Sequence, residues 1–314
     1  MRPARDRVSV LDCGGWRGMG LTPLSLTPRI AASGSLPRTL QRLTASTNFA
    51  FTLVELLVVI AIVAILASPL LPAFSRAKGR AQSMACANHL KQLTAGWLLY
   101  VHDNDDTLPP NRTQQKGFDL ISQPGSWVLG NAKLDTTTSN IEAGVLFPLV
   151  PSATVFRCPA DKSTVSQHPE LRRTRSYAME HWLNMRANTG SALDAANDSP
   201  LNLRKYARVA NGDPGPSRLF VFSDEHPVCI DDGVFSVPSP WAFPGANSVL
   251  SWVSLPSERH NGGDNLSIAD GHVEHWRWRW LRKPTRYTND RTFVKNKEDE
   301  ADLRRVQDAI PKSP

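Results

Sequence analysis

The chain has 314 residues, 41% of them apolar and 21% charged, enough for one large domain or two small ones and too apolar for a disordered polymer. Its formal charge is +7, but residues 1–50 hold seven arginines against two acidic groups, leaving 29 basic and 27 acidic groups over the remaining 264. A basic flank ahead of an apolar run follows the positive-inside pattern of a membrane segment; it excludes a phosphate-binding face on the body, and no nucleic-acid partner is expected.

The first strong element is Phe51–Leu71, FTLVELLVVIAIVAILASPLL, 21 residues with one charge, Glu55. At 1.5 Å per residue it spans roughly 30 Å, a bilayer core. A secretory signal peptide has a shorter apolar region, about 7–15 residues, and ends in a small-residue cleavage site. Burying Glu55 costs about 3 kcal/mol or more unless it finds a partner. Pattern alone leaves two readings of it, a paired intramembrane carboxylate or an interfacial residue of an ordinary signal anchor.

The string Ala50-Phe51-Thr52-Leu53-Val54-Glu55-Leu56-Leu57-Val58-Val59-Ile60 resembles the N-terminal cleavage and methylation motif of type IV prepilins and type II secretion pseudopilins. The resemblance implies that a prepilin peptidase cuts between Ala50 and Phe51 and N-methylates Phe51, leaving the apolar helix on the mature chain. Glu55 then becomes the assembly residue, its carboxylate paired with the terminal amine of an adjoining subunit. Pro72 takes the place of a helix-kinking proline. Two features depart from the family: Ala50 stands where Gly is usual, and the leader is 50 residues long, or shorter if Met19 rather than Met1 is the start. What is implied is a structural subunit, not an enzyme, of a type IV pilus-like filament or a secretion pseudopilus. Its partners are the peptidase, other pilin or pseudopilin subunits, an assembly platform and the membrane. It would sit in the inner membrane as a single-pass protein with an extracytoplasmic C-terminal domain. The alternative is a membrane-anchored extracytoplasmic protein that binds a ligand or cation and never polymerises.

Beyond Pro72 the apolar residues Cys86, Leu90, Leu93, Trp97 and Val101 recur at helical spacing. They predict one helix from about Phe51 to Val101, kinked at Pro69 and Pro72, with its second half packed on a head. His89 reads as a helix-surface residue rather than a ligand. In HDNDDTLPPN, Asp103, Asp105 and Asp106 read as a helix-end turn, because the glycine and terminal Glu of an EF-hand are missing. Residues 112–216 alternate short apolar runs with turn-formers, and Phe156–Asp161 and Ser176–Met179 look like stretches of one pseudopilin-like group.

Arg218–Ser223 reads as a buried strand. Asn265–Ala269 and His272–Trp280 flank Asp270-Gly271, a two-residue signal for a hairpin with both centres at positive φ. Trp276, Trp278 and Trp280 alternate with arginines, which predicts an indole face packed on the long helix in preference to a sugar-binding stripe. The tail Lys297–Ile310 predicts a surface helix. The expected fold is α+β: a long kinked helix, transmembrane in its first half, packed on an antiparallel head with long loops. The segments are a leader (1–50), the transmembrane and polymerisation helix (51–71), its amphipathic continuation (72–101), the head (102–286) and a charged, helical tail (287–314).

The spacing from His260 to Asp270-Gly271 resembles the His-x9-Asp-Gly element of a prepilin-like group. One reading makes His260 and Asp270, with Asp224, Glu225, His226, Asp231, Asp232 or Asp264, an oxygen-rich site suited to Ca2+, although no cofactor is required. The preferred reading makes Asp270-Gly271 a turn and His260 its hydrogen-bonded brace. Zinc hydrolysis through His226, His260 and His272 lacks an HExxH pattern, and serine chemistry lacks G-x-S-x-G. Cys13 falls in the leader, and none of the four cysteines forms CxxC. Cys86, Cys158 and Cys229 leave two states open, a disulfide with one thiol left over or three buried thiols.

Overall fold

The computed structural model describes residues 52–117, 119–190, 194, 196–242, 250–281 and 292–312; Cys13, Ala50 and Phe51 lie outside them. The chain divides into two compact units between Val59 and Ile60. In the first, Thr52 leads into the start of helix α1 (Leu53–Asp103). In the second, α1 remains helical through Pro69 and Pro72, which remove two backbone donors from its ladder.

The lower half of α1 buries Cys86, Leu90, Leu93, Trp97 and Val101, the residues picked out by helical spacing. Its end is set by the aspartates. Asp105 and Asp106 take φ of 51° and 63°, a left-handed turn that Asp tolerates, and the Asp106 amide donates to the Val101 carbonyl.

The head follows as β1 (Asn111–Lys116), β2 (Asp119–Ser122), α2 (Ser139–Glu142), β3 (Thr164–Val165), β4 (His168–Arg172), β5 (Tyr177–Glu180), β6 (Met185–Asn188), α3 (Tyr206–Ala210), β7 (Phe220–Asp224), β8 (Val234–Phe235), β9 (Ser251–Trp252), β10 (Gly263–Ile268), β11 (Val273–Arg277), β12 (Thr292–Phe293) and α4 (Lys297–Gln307). The main sheet has the order β11-β10-β7-β5-β8, and three small sheets flank it. The class is α+β as expected, but the sheets are not purely antiparallel, since β8 pairs parallel with β5 and β6 parallel with β1. In both cases a long excursion separates the partners, as parallel pairing requires.

Alternation along the strands splits the core in two. Tyr177 and Met179 of β5 pack with the lower half of α1, while Ala178 joins Leu303, Val306 and Ile310 at the other face. Phe220 belongs to the second cluster, yet Val221 and Phe222 both belong to the first. A bulge accounts for this, because the register jumps from Ser267↔Phe222 to Ile268↔Phe220 and re-aims one side chain.

Two expectations are corrected. The β10–β11 connection is a three-residue loop, Ala269–Gly271: the Ile268 amide donates to the His272 carbonyl and the Gly271 amide to that of Ile268. Gly271, at φ 97°, is in the left-handed region and Asp270 is not, so the turn is a type I turn followed by a bulge residue. The indole face also goes elsewhere. Val273 packs on the α1 side, and Trp276, three residues on, therefore takes the opposite side. Trp276 and Trp278 are buried in the α4 cluster, with Arg305 4.0 Å above the Trp276 ring, and Trp280 is 38% exposed.

Candidate functional site

The N-terminal turn of α1 is a capping box. The Thr52 hydroxyl accepts from the Glu55 amide, while Glu55 Oε2 accepts from the Thr52 amide at 2.8 Å and its hydroxyl at 2.7 Å. Glu55 is thus at once the lone charge of the apolar run and the third helical residue, oriented by its own chain. The sequence carries this signal as Thr-x-x-Glu ahead of an apolar stretch, and it was missed because the membrane reading claimed the same residues.

Beyond the cap, Leu53, Val54, Leu56–Ile60, Ile62, Val63, Ile65, Leu66, Leu70 and Leu71 are all about half exposed or more. Apolar side chains cover this stretch all round, and each is worth about 1.5–3 kcal/mol when removed from water. The helix is long and apolar enough to cross a membrane.

The residues of the expected oxygen-rich site fall in three places. Asp270 is at the exposed hairpin, where it and Glu274 pair with His272 and draw the imidazole pKa up. Glu225, Asp231 and Asp232 are buried near Arg175; burial raises the carboxyl of Glu225 well above the usual range and that of Asp231 to about 7. Asp232 accepts from the Thr113 hydroxyl. Asp224 and Asp264 form the third group with Ser257, Ser223 and Arg259. His226 Nδ1 accepts from the Val228 amide. A hard cation needs six to eight oxygens around one point, and these carboxylates are spread over three places. His260 does not brace the Asp270-Gly271 turn either, because it is buried and faces Cys158 and Asp224.

Asp224 of that third group also belongs to the most chemically distinctive cluster among the described residues. One ligand-type atom from each of Cys86, Cys158, Asp224 and His260 lies within 4.8 Å of the other three, and all four residues are buried. Cys86 comes from α1, Cys158 from the loop after a 3-10 turn (Ala153–Phe156), Asp224 from the end of β7 and His260 from the loop before β10. His260 Nε2 is 3.3 Å from Cys158 Sγ and 3.9 Å from Asp224 Oδ2.

The surroundings hold these groups in place. The Tyr177 hydroxyl donates to Cys86 Sγ at 3.2 Å, and Ser257 Oγ donates to Asp224 Oδ2 at 3.0 Å. Arg259 pairs with both Asp224 and Asp161. Ser176 Oγ accepts from the Cys158 amide at 2.7 Å. Burial opposes charge on Cys86, yet hydrogen bonds from Cys158, His260 and Tyr177 bring its thiol well below the usual range. Cys158 moves the other way, raised by its hydrogen bond to Cys86 and by burial. Asp224 is raised to about 6 by burial, against the pull of Arg259.

Of the two states left open for the cysteines, the structure has the thiols: Cys86, Cys158 and Cys229 are free and buried. No single spacing links the four cluster residues, and the absence of any CxxC pair hid them. His89, half-buried, bonds the Arg157 carbonyl through Nδ1 at 2.9 Å and belongs to the packing around Cys158 rather than to the cluster.

Residues 46–71 match the model of the prokaryotic N-terminal methylation motif. No curated protein and no solved structure matches the chain.

Proposed function

We propose that this chain is a prepilin-like structural subunit that is cleaved between Ala50 and Phe51, methylated at Phe51 and assembled through its N-terminal helix. The observation that carries the reading is the methylation motif over residues 46–71, followed by an apolar helix with its side chains exposed on every side. Such a surface needs either lipid or like helices around it. Both stages of a pilin's life supply this, first the inner membrane and then the filament core, with the head extracytoplasmic throughout. The filament is either a type IV pilus or a secretion pseudopilus; the proposed partners are prepilin peptidase, sister subunits and the assembly platform.

Glu55 supplies the register. Its carboxylate is already ordered by Thr52, and a neighbour's N-terminal amine beside it in low dielectric neutralises a charge that hydrocarbon would penalise. N-terminal mass spectrometry of native protein tests the reading. The expected peptide begins at methylated Phe51. One beginning near residue 70, or retaining residues 1–50, would overturn it.

A further inference from the structure

Around Cys86, Cys158, Asp224 and His260, four different segments deliver two sulfurs, one imidazole nitrogen and one carboxylate oxygen to a single buried point. We propose that these side chains form a closed structural site for a borderline-soft divalent cation of the zinc class, tying α1 to the head.

The donor set argues for that class. Thiolate and imidazole select zinc-like ions, whereas calcium and magnesium demand oxygen shells that this point lacks. The spacing argues for tetrahedral coordination. Bonds of about 2.3 Å to sulfur and 2.0 Å to nitrogen or oxygen put ligands roughly 3.3–3.8 Å apart. The Cys158–His260 and His260–Asp224 separations of 3.3 and 3.9 Å already fall close to that, and no pair exceeds 4.8 Å. Closure on an ion therefore needs inward shifts of no more than about 1 Å.

Charge argues the same way. Arg259 is already shared between Asp224 and Asp161, so thiolates formed as a cation binds would be compensated by the cation itself. Outer partners are also present, with Tyr177 on Cys86 and Ser257 and Arg259 on Asp224, as metal sites use to orient their ligands. His260 Nδ1 has no hydrogen-bond partner, so Nε2 is the nitrogen that fixes the ring, and it faces the sulfurs. With every ligand buried and all four positions taken from the protein, the site is closed, which marks a structural rather than a catalytic role. A Cys86–Cys158 disulfide is the rival chemistry. It would need a two-electron oxidant and would give no part to the His260 Nε2 that faces the sulfurs.

The test uses the full chain purified in detergent without chelator. Elemental analysis is expected to find about one zinc-class ion per chain. Replacement by Co2+ is expected to give a thiolate-to-cobalt charge-transfer band and the visible absorption of tetrahedral cobalt. Cys158→Ser and His260→Ala should each lower cobalt affinity more than about 100-fold, beyond the loss typical of an outer-shell change, while Cys229→Ser leaves it unchanged. The proposal is overturned by a wild-type chain that takes up no cobalt, by uptake that survives both ligand substitutions, or by a peptide in which Cys86 and Cys158 are linked. If the ligand variants do not fold, thermal unfolding of the unchanged protein decides. Stoichiometric Zn2+ should raise the midpoint by several degrees over chelator, and equal midpoints would overturn the site.

Discussion

At the scale of single residues, Glu55 does two jobs that substitution can separate. It closes the capping box with Thr52, and in the proposed filament it carries the charge that meets a neighbour's amine. Glu55→Gln keeps a capping side chain but removes the charge, whereas Thr52→Ala keeps the charge and removes one arm of the cap, worth about 1 kcal/mol. Filament incorporation, scored by sheared-surface or pull-down yield, should vanish in Glu55→Gln and persist in Thr52→Ala. Equal loss in both would mean that capping is all Glu55 contributes. Gly271 offers a second test. An added Cβ would meet only Leu98 Cδ1, at 3.7 Å, so space is not the issue; its φ of 97° is. Gly271→Ala should cost about 1–2 kcal/mol in denaturant unfolding, with little change elsewhere.

At the scale of elements, α4 shows how a charged tail becomes part of the core. Asn296 caps it by accepting from the Asp299 amide at 2.8 Å, and Leu303, Val306 and Ile310 are buried beneath it. Asp302 accepts from the Arg279 and Trp280 amides, which pins α4 to the end of β11. Leu303→Ala is expected to destabilise by about 2–5 kcal/mol and Asn296→Ala by about 1, read as midpoint shifts in urea. The existence of this helix was legible in its periodicity, as were the apolar span and the buried lower half of α1. What those faces met was not. Tryptophan parity at 276 and 278 is local, but whether that parity points to α1 or α4 depends on Val273 and on strand order, which no spacing in the chain encodes. The hairpin turn failed for a related reason: Asp-Gly fits both a two-residue and a three-residue loop, and cross-strand register chooses between them.

At the scale of the whole molecule, the candidate site was the least legible part, because Cys86, Cys158, Asp224 and His260 meet only after a helix, two loops and a strand end are assembled. The same assembly buries ionisable groups whose titration tests the head as a unit. Burial raises Asp231 from 3.8 to about 7, so the folded chain holds a proton there that the unfolded chain releases as pH rises above 3.8. Its contribution is therefore complete below that value and disappears as pH climbs towards 7. His181 has the opposite sign. Burial lowers it from 6.5 to about 4, so the unfolded chain takes up a proton first, and its contribution is present above 6.5 and lost as pH falls to 4. In the wild type the two slopes oppose each other between those limits, on a background to which Asp224 and Glu225, also raised by burial, add slopes of the Asp231 sign. Asp231→Asn removes only the first slope and keeps an acceptor for the Asp232 amide. Relative to the wild type, that variant should show a melting temperature that rises from pH 4 to 7, by roughly 5–10 °C if Asp231 contributes a few kcal/mol. His181→Gln should show the mirror image, a midpoint that falls relative to the wild type between pH 4 and 6.5. Parallel profiles in the two variants would mean that neither group titrates with the fold.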